Sequence, residues 1–358
     1  MRVLLAAWAV AMVLAVSASA GRPSGLAVCR WRPVLDAAGP ALTGIAALAG
    51  DNVWAVGNDG LRAAFLHRAG RRWQTIASPV FALDIAAVSA SDIWAVGSSA
   101  PGPAAAARAA WWNGRRWKVL PLKGRSGEYL RSVAALSASD VWAVGADARG
   151  GPLIARWNGR AWKRFGGEAA HGLLHAIKAP SPRTVWAVGT QGMQTLGPAD
   201  EHPLVERWTG SGWQPLAAPK LDWVNVNLLA VDVVSPREAY AVGSVDLDGG
   251  LPLVLRFNHG GWSALSTAGL PATDVSLTAV AAFGPSDLWL VGAHGFGQSE
   301  RPLLAHWNGQ RWNRPTTRPL RGGLTALAAL SATDMWAAGG SLQANGTSHS
   351  LLEHYSCR

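Results

Sequence analysis

The sequence has only two cysteines, Cys29 and Cys357, placed near its opposite ends. Two thiols cannot complete a four-ligand metal cage, and no histidine pair stands beside either one, so no metal site is expected. Charged residues make up only 15% of the chain, and Phe and Tyr number just 6 and 3. Past the first twenty residues, no apolar run approaches the about 20 residues that a membrane-spanning helix needs. The sequence also lacks a phosphate-binding glycine loop, a nucleophile elbow and a paired-histidine zinc motif, so no cofactor is expected either. What it has in excess is tryptophan, with 20 copies, and their spacing carries most of the information.

The N-terminus reads as a signal peptide over residues 1–20. Arg2 supplies the positive charge, residues 3–16 the apolar stretch, and Ala18-Ser19-Ala20 the small-residue cleavage site, so the mature chain is expected to start at Gly21. The apolar stretch is short for an uncleaved anchor. The segment Leu26-Ala27-Val28-Cys29 invites a lipoprotein reading, but Val28 suits it poorly and Cys29 stands far from the apolar stretch. The expectation is a secreted, extracellular protein with no stable membrane insertion. It has a short segment at 21–28 and one domain over 29–358. Export makes a disulfide permissible.

Ser139-Asp140-Val141-Trp142-Ala143-Val144-Gly145 recurs along the chain. Its anchor aromatic appears as Trp54, Trp94, Trp142, Trp186, Tyr240, Trp289 and Trp336. Repeats of this length suit one four-stranded propeller blade each. In the third copy, Leu130–Leu136 reads as strand a, Val141–Gly145 as b, Leu153–Trp157 as c and Arg160–Phe165 as d. Asn158-Gly159 is a strong hairpin signal; a two-residue turn there would place Ala155 opposite Trp162, with Trp157 its diagonal neighbour. The Trp of strands b, c and d thus read as blade packing. The Asp before strand b (Asp92, Asp140, Asp287, Asp334) reads as a turn cap.

The seventh copy stops after strand c, at Leu351–Tyr355, whereas Cys29-Arg30-Trp31-Arg32-Pro33-Val34-Leu35 is a strand d with no strand c before it. Pairing the two completes the last blade and removes two open edges. The expected fold is therefore all-β: a seven-bladed propeller of four-stranded antiparallel blades, closed by its N-terminal strand in the last blade. Cys29 and Cys357 then meet at the seam. A disulfide there contributes roughly 4–5 kcal/mol by chain entropy.

Function on such a scaffold is expected in the variable b–c and d–a loops, which share one face. Trp223 is the best single candidate, with Asp222 and Asn225 in the same loop. His171, His175, Asp246, His294, Glu300, Glu201 and His202 are the other polar candidates assigned to that face. They come from different blades, and no catalytic residue is assigned. The formal charge of +10 is spread around the hairpins, at residues such as Arg71, Arg115, Arg160 and Arg311. It forms no basic and aromatic track, so a nucleic-acid partner is not expected. Charge alone does admit an anionic cell-surface polymer.

The unit Val-Trp-Ala-Val-Gly followed by Arg-Trp-Asn-Gly-x-x-Trp, over residues 29–357, resembles the photosystem-assembly-factor (Ycf48-like) and Asp-box repeats. It is also similar to the tectonin repeats of propeller lectins, and distantly to kelch repeats. The resemblance implies a β-propeller fold over these residues. The first reading is a noncatalytic, monomeric binding or scaffold protein for a glycan or protein partner. The alternative is a secreted hydrolase or lyase with its site at the top face or channel mouth. Copper-oxidase chemistry of the kelch type is not expected: two of the three tyrosines, Tyr240 and Tyr355, stand at packing positions, and both cysteines are spoken for.

Overall fold

A computed structural model describes residues 28–102, 104–120, 122–167, 171–192, 201–219, 225–245, 250–316 and 320–357. The expected signal peptide lies outside the described residues, as do Asp222, Trp223 and Asp246. The described strands form seven four-stranded antiparallel sheets. In blade 3, strands a to d are Tyr129–Ser137, Asp140–Ala146, Pro152–Trp157 and Trp162–Gly166. Alternation along each strand produces them, with apolar side chains on the faces that meet neighbouring blades. Strands a pack side by side around the axis and strands d form the rim. Among the described residues, no helix is long and apolar enough to cross a membrane.

Blade 7 closes as expected. Its strands a to c are Gly322–Ser331, Asp334–Leu342 and Ser348–Cys357, and its strand d is Cys29–Ala38. Cys29 lies opposite Cys357, and the two are disulfide-bonded. Trp31 lies opposite Tyr355, as Trp162 lies opposite Trp157 in blade 3. Counting from those pairs, Cys357 and Cys29 occupy the two positions that Gly159 and Arg160 hold in the intact hairpin. The disulfide thus replaces a turn.

The hairpin turn lies one residue later than the Asn-Gly expectation, which shifts the pairing by two residues and keeps the side chains on the same faces. Trp157 pairs directly with Trp162, and Ala155 with Arg164. Gly159 takes the positive φ, at 89°, and serves as the first central residue of the turn. Asn158 stays outside the turn because its side chain is engaged: Oδ1 accepts from the Arg160 and Ala161 N–H groups at 3.0 and 2.9 Å.

The strand b aromatics hold adjacent blades together. All seven are at most 4% exposed. Trp142 of blade 3 meets Trp208 and Trp213 of blade 4, with ring centroids 5.2 and 5.4 Å away. The same packing crosses the closure, since Trp289 meets Trp31 and Tyr355, and Trp336 meets Trp73 of blade 1. Such pairs contribute about 0.5–1.5 kcal/mol each beyond their buried area.

The residue two before each anchor is not chiefly a turn cap. It lies on the anchor's own face of strand b, because side chains alternate, and it reaches toward strand c. Asp140 takes both Arg156 donors at 2.8 and 3.0 Å, and Arg156 lies over the Trp142 ring. Asp287 binds His306 and Asp334 binds His354, with each imidazole stacked on its Trp. In blade 2, Asp92 accepts from the indole N–H groups of both Trp94 and Trp111, which gives Trp111 its place. The cap at this turn comes instead from the serine ending strand a, as when Ser137 Oγ accepts from Ser139 N.

Candidate functional site

Each strand a carries one residue more than its partner needs. In blade 3, Leu130 lies opposite Gly145 and Ser132 opposite Val144, so Arg131 is unpaired between them. Strand a approaches strand b so closely here that a Cβ on Gly145 would lie 2.0 Å from the Tyr129 carbonyl oxygen. The bulge turns the extra side chain toward the axis. The same break in register occurs in all seven blades, at Thr43, Leu83, Arg131, His175, Leu229, Thr278 and Thr325. All seven residues line one central cavity of about 290 Å³.

Several side chains on this ring tie neighbouring blades together. Thr278 Oγ1 donates to the Leu324 carbonyl at 2.7 Å, and Thr325 Oγ1 donates to the Leu42 carbonyl. Asp84 Oδ2 accepts from Ser132 Oγ and Val133 N, both at 2.9 Å, and its Oδ1 accepts from Ile85 N at 2.8 Å. Asp232 repeats this arrangement between blades 5 and 6, and also pairs with Lys178 of blade 4 at 2.9 Å. Three polar groups are left over. Thr43 Oγ1 and His175 Nδ1 are buried without a hydrogen-bond partner. Arg131 makes no hydrogen bond or ion pair to a described residue, although Tyr129, Asp84 and His175 lie within its field.

Burial sets the protonation of this ring. It pushes the Asp84 carboxyl up to about 6, against the pull of its three hydrogen bonds and of Arg131. Burial and then the Arg131 charge push the His175 imidazole down to about 3, so it is neutral at physiological pH.

The loop face carries a second feature. A groove of about 510 Å³ runs between the loops of blades 1 to 3, with Phe81 and Tyr129 as aromatic walls and Asn58, Ser98 and Glu128 as polar lining. Leu83 borders both groove and channel. Leu61, beside the groove's Gly60, is 84% exposed, and Phe296 on the blade 6 loop is 77% exposed. Farther out, Lys123, Arg125, Arg149 and Arg164 gather around Glu128 and Asp147 in a rim pocket, where Arg164 holds Glu128 through two hydrogen bonds.

The polar candidates do not converge. His175 is not a loop residue: it is the bulge of strand a Gly172–Ser181 and faces the channel. His171 is exposed just before that strand. Glu201 is buried and accepts from Asn227 Nδ2, while Asn227 Oδ1 accepts from Thr190 Oγ1. Asn225 has a positive φ of 59°, and its buried Oδ1 lacks a partner. His202 stands exposed at the start of strand c in blade 4. His294 lies in blade 6 with Arg314 in a separate pocket, and burial and then Arg314 lower its pKa. Glu300 follows the 3-10 turn Gly297–Ser299, and its carbonyl accepts from Gly322 N. Among the described residues, no three His, Cys, Asp or Glu side chains gather as metal ligands would. The channel ring escaped the sequence reading because its residue types vary. Its position does not: each member stands eleven residues before an anchor aromatic.

No family model matches the chain, and no curated protein matches it. Solved structures do. The chain resembles a structure described as YCF48 bound to D1 peptide, with 15% identity and a TM-score of 0.61, over 91% of this chain and 96% of that one. It also resembles YCF48 from Cyanidioschyzon merolae, at 13% identity and a TM-score of 0.60, over 91% and 98%. The SapL1 lectin in complex with alpha methyl fucoside aligns at 15% identity and a TM-score of 0.50, over 78% of this chain and 97% of the lectin. At these identities the likeness is one of fold.

Proposed function

We propose that the protein is an exported, noncatalytic binding propeller that holds a glycan or protein partner on its b–c and d–a loop face. One observation carries this reading. The groove walled by Phe81 and Tyr129 opens on the face where Leu61 and Phe296 stand exposed at loop tips. An exposed Leu61 beside a concave, partly aromatic groove, with a second apolar tip on the same face, is what a partner would cover. The similar structures include one described with a bound peptide and one with a bound fucoside, which supports a binding role for the architecture. Among the described residues, the loop-face histidines and carboxylates do not gather at one point. With the expected signal peptide cleaved, this face would meet partners outside the cell.

A glycan array probed with the mature protein and with Tyr129→Ala tests the proposal, with a parallel assay of the mature protein's partner capture by cross-linking. The expected result is a ligand whose binding Tyr129→Ala and Leu61→Asp both abolish at unchanged thermal midpoint. Cleavage of a glycan by the purified protein would overturn it in favour of a hydrolase or lyase.

A further inference from the structure

We propose that the central channel is a separate binding site for a small carboxylate, with Arg131 as its anchor and His175 and Thr43 as supporting donors. The channel's other polar groups are spent on structure. Thr278 and Thr325 reach carbonyls of the next blade, Lys178 pairs with Asp232, and Asp84 gives its oxygens to Ser132, Val133 and Ile85. Arg131, His175 and Thr43 are the polar members of the bulge ring with no hydrogen bond to a described residue. They come from three different blades, yet line the same cavity.

The chemistry of these groups selects the ligand. A guanidinium presents its donors as a planar fork that matches a planar carboxylate, and such charge-assisted bonds are among the strongest available. The neutral His175 ring offers one N–H in one tautomer, and Thr43 offers a hydroxyl. Leu83, Leu229 and Leu327 supply apolar wall. A cavity of about 290 Å³ is at the small end of ligand pockets, so the ligand is a small acid or one acidic sugar unit. Leu83 borders both this site and the loop-face groove, but Arg131, His175 and Thr43 line the channel and not the groove.

The test is an NMR titration of the mature protein, following the His175 imidazole resonances. Butyrate represents a free apolar acid and glucuronate a sugar-borne one; butyramide and chloride serve as controls. Butyrate or glucuronate is expected to shift the His175 signals saturably, with butyramide and chloride without effect. Arg131→Gln is expected to weaken that binding by roughly tenfold or more, the size of a charge-assisted hydrogen bond. If neither acid moves His175, or if butyramide or chloride moves it equally, the proposal fails, even should Arg131→Gln not fold. An acid that binds wild type and Arg131→Gln alike also overturns it. Leu61→Asp, at an exposed loop tip that does not line the channel, is expected to leave this titration unchanged, so failure of the groove and failure of the channel are separable.

Discussion

Two positions recur around this ring with opposite characters. Opposite the strand b aromatics on strand c stand His67, Trp111, Arg156, Arg207, Arg256, His306 and His354, most of them lying over the aromatic and bound to the polar residue two before it. The bulges of strand a hold a similar number of side chains, but these share no chemistry: three threonines, two leucines, one arginine and one histidine. The first set solves the same packing problem seven times, so each copy needs a flat or cationic group over a ring and a polar atom to hold it. The second set faces a cavity, where the backbone requires the bulge but leaves the side chain free to vary. In a repeat protein, uniform chemistry marks the scaffold, and chemistry that breaks the repeat marks the place to seek a ligand.

The largest way to break the scaffold is to open its seam. Cys29→Ser, or reduction of the native protein, removes the closure of a loop spanning 328 residues. The expected cost is about 5 kcal/mol in a chain-entropy account, read as a fall in the denaturation midpoint. Next in size is the strand b anchor. Trp142→Ala removes a side chain with no exposure, together with its contacts to Trp208, Trp213 and Arg156. Denaturant unfolding should show a loss of about 3–5 kcal/mol.

The scaffold half of the comparison was legible in the sequence because its signals are local and repeated. Trp142 with its neighbours, the Asn158-Gly159 hairpin and the surplus strand at Cys29–Leu35 together implied blade number, closure and the disulfide. The hairpin turn moved by one residue, and its pairing by two, because Asn158 spends its carboxamide on the turn instead of entering it. Asp140 read as a turn residue because its partner, Arg156, is brought close only by strand pairing. The channel was not legible: Arg131 and His175 belong to no motif, and a bulge leaves no mark in residue type. His175 also stands near Gly172 and His171, which made the segment look like loop.

The channel half can be broken by pH. Asp84 has a folded pKa of about 6, above the unfolded 3.8. Its contribution to stability is therefore fully present below about 3.8 and is lost as pH rises through about 6, amounting to about 3 kcal/mol. His175 runs the other way: its folded pKa of about 3 lies below the unfolded 6.5, so its contribution is present above 6.5 and is lost as pH falls toward 3. The two oppose each other between pH 6 and 4. Relative to wild type, His175→Gln should gain stability as pH falls from 7 to 4, and Asp84→Asn should lose it. Thermal midpoints of the two variants across that range check the prediction.

The smallest effect tests the comparison most directly, because it asks whether an arginine is there to hold the fold. Arg156 pairs with Asp140 and covers Trp142, whereas Arg131 pairs with nothing described and faces the channel. The deciding measurement is the thermal stability of Arg131→Leu beside Arg156→Leu. The account predicts that Arg156→Leu costs about 1–2 kcal/mol, and that Arg131→Leu is as stable as wild type, since Arg131 is exposed to the channel and its loss breaks no bond to a described residue. A loss in Arg131→Leu as large as that in Arg156→Leu would make the channel arginine part of the scaffold and contradict the account.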